Sequence, residues 1–203
     1  KASVGPGSRW PIRKGSTPHM KFSLASALSV GVTSSCEFAE IRLAEERPLE
    51  ELLDKIARAL PMGIHIVRGD LTDDKAPKLT ARAQGASYQV KVPCAADPSA
   101  QLAAFAAAPE VPYTKTHKKG KGKPKTIDVK YFIPQVEARW QEGILDLSFD
   151  IRITPTGSMK ASEFLQVLED QFQVPLTVVR RISRVDLYSR DEAGRKVPLI
   201  GEG

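Results

Sequence analysis

Residues 114–126, TKTHKKGKGKPKT, hold six lysines, one histidine and two glycines, with no acid among them. Ammonium groups spaced along a glycine-containing segment suit phosphate. Each approaches one oxygen, and the counterions it displaces supply affinity without reading sequence. A second basic stretch leads the chain, where Lys1, Arg9, Arg13, Lys14 and Lys21 all precede the first acid, Glu37. Residues 115–130 carry seven lysines against Asp128 alone, a local +6 that equals the formal net charge of the whole chain. Outside these two windows remain 18 basic and 23 acidic residues. Positive charge confined to two segments of a mildly acidic body is the footprint of a polyanion-binding surface. The nucleic-acid-binding candidates are therefore Lys115, Lys118, Lys119, Lys121, Lys123 and Lys125, with Arg13, Lys14 and Lys21. RNA is the expected partner, and Tyr113, Tyr131 and Phe132 flank the lysines as aromatic groups able to stack on unpaired bases. A merely solvated Lys/Gly hairpin tip is the bland alternative.

Proton chemistry has thinner support. His19, in the segment TPHMK, has the residue type for acid–base transfer near neutrality, and Lys21 beside it is an anion ligand. Asp128 and Arg184 would complete such a site if the sheet brought them near. His19 and Asp128 are thus the weak catalytic candidates, and the same loop reads equally as a rigid turn with solvated side chains. His19, His65 and His117 lie on three different elements and form no HxH or HExxH unit. Cys36 and Cys94 are the only cysteines, too few for a disulfide framework or an iron–sulfur set and not spaced for zinc. No Walker-type GxxxxGK[ST], GxGxxG or GxSxG segment is present. No metal and no cofactor is predicted, and a non-catalytic module is favoured over an enzyme.

The elements that must position these residues follow from periodicity. With 41% hydrophobic and 27% charged residues, the 203-residue chain has globular composition. No apolar run is long enough to span a membrane, no secretory leader pattern is evident, and two lone thiols suit a reducing cytoplasm. Leu49, Leu52, Leu53, Ile56 and Leu60 recur at helical spacing, started by Pro48 and stopped by Pro61 and Gly63. IHIVRG reads as a short strand, and Tyr88, Val90 and Val92 alternate as a half-buried one. DPSAQLAAFAAAPE predicts a helix. VPYT and IDVKYFIP predict the two extended arms of a hairpin whose tip is the lysine segment. Leu145, Leu147, Phe149, Ile151 and Ile153 mark the clearest strand, KASEFLQVLEDQF a helix and LTVVRRISRVDLYS a closing strand. This order predicts an α+β fold of two ferredoxin-like sheet-plus-helix halves packed as one compact unit. Residues 1–15 form an irregular lead-in, 16–97 a first half, and 98–199 a second half carrying the hairpin 114–126.

TPHMKFSLASALSVGVTSSCEF also resembles the N-P-H-x-K-x-S-F…L-x-x-G-V-x-S-x-x-E pattern of the radical-SAM-associated domain of unknown function 2344. Pro18, His19, Lys21, Ser23, Leu28, Gly31, Val32, Ser34 and Glu37 match that pattern. The likeness continues through LEELLDKIARALPMGIHI, ASYQVKV, TIDVKYFIP, GSMKASEFL and RISRVDLY. The family's opening strand and helix have no counterpart beyond KASVGPGSRWPI, so residues 1–15 read as an irregular lead-in or a truncated N-terminal element: either a shortened member of the family or a sequence from which part of that element is omitted. The resemblance implies an uncharacterised accessory domain, found behind B12-binding-type radical SAM modules and as stand-alone proteins, with a radical SAM protein as a partner. It implies no catalytic residues. An adaptor docking on a radical SAM enzyme, or an enzyme using the Pro-His-x-Lys loop, remain the alternatives to RNA binding.

Overall fold

The structure is a computed structural model that describes residues 22–43, 45–73, 75–115 and 124–200. Three short strands come first: β1 (Phe22–Leu24), β2 (Val32–Ser34) and β3 (Ala39–Ile41). Helix α1 (Leu49–Ala59) follows Pro48, carries Glu50 and Glu51 in its first turn and Arg58 in its last, and ends where Leu60 turns extended ahead of Pro61. Residues 64–69, expected as a strand, form none. Ile64 and Val67 face solvent, and Gly69 folds back onto Leu53 so closely that an added Cβ would lie 2.6 Å from its Cδ2. The Ile64/Ile66 alternation is too short to compensate for the absent neighbouring strand. One helical turn, α2 (Leu79–Arg82), leads to β4 (Gly85–Pro93) and α3 (Ser99–Ala107). Asp97 accepts hydrogen bonds from the Ser99 backbone N–H and hydroxyl at the start of α3.

Strands β5 (Pro112–Lys115) and β6 (Lys125–Asp128) pair as an antiparallel ribbon, as the hairpin expectation required. The second arm is shorter than IDVKYFIP suggested, because Asp128 caps a helical turn, α4 (Val129–Phe132). Next come β7 (Val136–Gln141) and β8 (Ile144–Thr154), joined by Glu142 and Gly143, both at positive φ (50° and 76°). That geometry is the two-residue hairpin turn whose twist matches its strands, and it favours glycine at its second position. Strand β9 (Gly157–Ser158), α5 (Ala161–Phe172), β10 (Arg181–Arg190) and β11 (Lys196–Pro198) complete the chain.

The main sheet has seven strands in the order β11-β10-β4-β8-β7, with β2 beside β10 and β9 beside β8. Within it, β4–α3–β7–β8–α5–β10 is one split β-α-β-β-α-β unit, its neighbouring strands all antiparallel. The α+β class therefore holds. The two expected halves share this sheet: β4, placed in the first half, lies between β8 and β10 of the second. Its inward residues explain this, because Val90 and Val92 meet Leu147 and Leu145 across the β4–β8 register. The division at 97/98 falls inside the β4–α3 connection, and the ribbon and α4 are inserted between α3 and β7.

Helices α3 and α5 cover one face of the sheet, with Phe105, Phe164, Leu165 and Leu168 packed on Leu145, Leu147 and Phe149. The ring of Phe164 lies 4.8 Å from Phe149 and 5.4 Å from Phe105. A smaller cluster joins Ala25, Leu79, Ala83, Ala86, Leu187 and Leu199. Segment 25–37 is clasped to β10 by Arg184, a residue 1% exposed whose guanidinium pairs with Glu37 and donates to the Ser26 carbonyl at 3.1 Å. Both thiols are free, Cys94 buried and Cys36 half-buried.

Candidate nucleic-acid interface

The ribbon is rooted before it is charged. Asp128 Oδ1 accepts the Val111 N–H at 2.9 Å and the Lys130 N–H at 3.0 Å, while Oδ2 accepts the Tyr131 N–H at 3.2 Å. Gln171 of α5 donates to the Pro112 carbonyl at 2.9 Å, and the Thr114 and Thr126 hydroxyls meet across the strands. The last described pair sets Lys115 opposite Lys125. Like charges in register oppose a ribbon unless one is compensated. Lys115 is compensated: its Nζ donates to the Ser158 carbonyl at 2.6 Å and lies 3.1 Å from Glu163. Lys125 is exposed, and among the described residues no carboxylate pairs with it.

The site residues expected from sequence divide accordingly. Lys115 is committed to the fold and Lys125 is available at the ribbon's end. Lys118, Lys119, Lys121, Lys123, Arg13, Lys14, Lys21 and His19 lie outside the described residues. Asp128 spends both oxygens on backbone donors, an arrangement that suits a cap and leaves little for proton transfer. Arg184 is held by Glu37 in the main sheet, and Asp128 by the ribbon and α4; the two belong to separate hydrogen-bond networks.

The flanking aromatics also separate. Tyr113 is half-buried against the core, and burial, reinforced by the nearby Glu163 and Asp170 charges, pushes its phenol above the ordinary value. Phe132 packs on the same core. Tyr131 is 50% exposed, with the Arg152 guanidinium 4.5 Å over its ring and Phe132 edge-on at 5.1 Å. Sequence reasoning missed Arg152 and Glu163. Arg152 reads as one more polar position on a strand, and only folding sets it over Tyr131; Glu163 reads as a solvated helix acid, although its N3 position signals the cap it gives to the Lys160 N–H.

Residues 12–173 match the family of uncharacterized proteins conserved in bacteria, DUF2344. The chain belongs to this family. For this DUF2344 member, no curated protein and no solved structure matches. The matched span takes in β1 through α5, and so includes the whole ribbon and its anchors. Among the described residues, no helix is long and apolar enough to cross a membrane.

Proposed function

We propose that this protein is a non-catalytic accessory module that binds RNA through its lysine-rich ribbon and basic N-terminal segment, within a radical SAM-type or RNA-modification system. The observation that carries RNA binding is the ribbon's electrostatics. Seven lysines and one acid occupy residues 115–130, and that acid, Asp128, is engaged in holding the ribbon's base. A basic segment whose flanking strands are anchored on a mildly acidic body presents positive charge to a polyanion without the repulsion of a wholly basic surface. Association with a radical SAM protein rests on the resemblance of the TPHMK…GVTSSCE segment alone. The cytoplasm, where such RNA resides, is the expected compartment.

A second reading, a protein-docking adaptor, draws on a different surface. Only Leu52 of the α1 apolar face is buried, and Met62, Ile64, Val67 and Leu71 stand exposed in the segment that follows. Apolar surface of this kind marks protein contact.

The two are separated by changing Lys118, Lys119, Lys121 and Lys123 together to Ala. The RNA reading expects an unchanged thermal melt and at least tenfold weaker binding of structured RNA at low salt. Unchanged RNA binding in the quadruple variant would sink it. The adaptor reading expects co-purification with a radical SAM protein that survives nuclease treatment and is lost in Val67→Asp.

A further inference from the structure

We infer that Tyr131 and Arg152 form a stacking seat for an unpaired base, so that the ribbon's ligand is single-stranded RNA rather than duplex; this rests on the RNA-binding reading above. Val129 and Ile133, two residues to either side, are fully buried, yet Tyr131 remains half exposed. Its position is held from three sides. Asp128 Oδ2 accepts its N–H, Phe132 supports the ring at an interplanar angle of 89°, and Arg152 lies over it at 4.5 Å. An exposed aromatic held this firmly loses little freedom on binding, which is the condition for stacking to contribute fully.

Arg152 has its own peculiarity. It is exposed, and among the described residues no carboxylate pairs with it, so no anion competes for the guanidinium beside the ring. Bases stack on aromatic rings and on guanidinium planes alike, and a cation next to the ring also draws the phosphate that follows the base.

The seat adjoins the ribbon through a continuous set of contacts. The Ser158 hydroxyl donates to the Arg152 carbonyl at 2.8 Å, and the Ser158 carbonyl accepts Lys115 Nζ at the ribbon's last described pair. A strand with a phosphate on the exposed Lys125 needs only the length of β6 to bring a base to Tyr131 at the ribbon's root. A duplex cannot use this seat, because its bases are already stacked on one another and paired.

The test uses the full chain and a fluorescent oligoadenylate RNA of about twelve nucleotides, within the usual footprint of such sites, alone and annealed to its complement. Fluorescence anisotropy at low salt is expected to show tighter binding of the single strand. Tyr131→Ala is expected to weaken single-strand binding about tenfold or more and leave duplex binding unchanged, while Tyr131→Trp retains wild-type affinity. The Trp variant keeps the test informative should the Ala variant prove unstable by thermal melting. Equal binding of both probes by the wild type, or Tyr131→Ala and Tyr131→Trp both matching the wild type on the single strand, overturns the stacking seat alone. Binding of neither probe overturns both the seat and the RNA reading beneath it.

Discussion

Arg184 illustrates how a charge is retained in an apolar sheet. Its guanidinium is nearly inaccessible, and Glu37 together with the Ser26 carbonyl takes up its donors. Removing one partner of such a pair strands the other, whereas replacing both with apolar groups removes the penalty. Glu37→Ala is expected to cost about 3 kcal/mol in urea unfolding, and Glu37→Leu with Arg184→Met clearly less; a Glu37→Ala loss below about 1 kcal/mol would mean the pair contributes no more than a surface bridge. Tyr188 provides a pH handle. Burial, then the Asp150 charge, pushes its phenol up to about 12, so the folded state keeps its proton after the unfolded chain has lost it. Stability from this group is full below pH about 10, the unfolded phenol value, and falls as pH rises from there toward 12. Tyr188→Phe is expected to give a shallower loss of stability across that window, measured as urea midpoints against pH.

At the scale of elements, the junction of the ribbon and α4 gathers on one carboxylate. Three backbone donors, from Val111, Lys130 and Tyr131, converge on Asp128. Asp128→Ala is expected to lower stability by about 1–2 kcal/mol and to speed hydrogen exchange at residues 129–133. Asp128→Asn, which keeps a carbonyl acceptor, should recover part of both. An unchanged exchange pattern in Asp128→Ala would show that Gln171 and Lys115 suffice to root the ribbon. Element by element, legibility followed how much of the signal was local. Strand β8 and helix α5 were plain because their apolar residues repeat at one period and face one core. Strand β7, VEARWQ, escaped notice because it is an edge strand with nearly every side chain exposed, and pairing with β8 alone makes it a strand. IHIVRG erred in the other direction, alternating for a few residues with no sheet edge to join.

For the whole molecule, the charge distribution sets the expected solution behaviour. With Lys115 engaged by Glu163, Lys118, Lys119, Lys121, Lys123 and Lys125 are the proposed phosphate contacts of the 114–126 stretch. If all five engage a single strand, the slope of log affinity against log salt is expected near −3.5; the basic N-terminal segment would steepen it, and a slope near zero would contradict phosphate binding altogether. By itself, the sequence determined the composition class, the confinement of excess charge to two segments, the long-period elements and the hairpin that bears the lysines, because each is a property of neighbours along the chain. Tertiary structure decided what depends on register and on contacts between distant residues. It set β4 between β8 and β10 and engaged Lys115 and Asp128 in anchoring the ribbon. It left Lys125 exposed, and it brought Arg152 over Tyr131. No local pattern encodes that last pair, since one residue belongs to a sheet strand and the other to a helical turn whose cap lies in the ribbon.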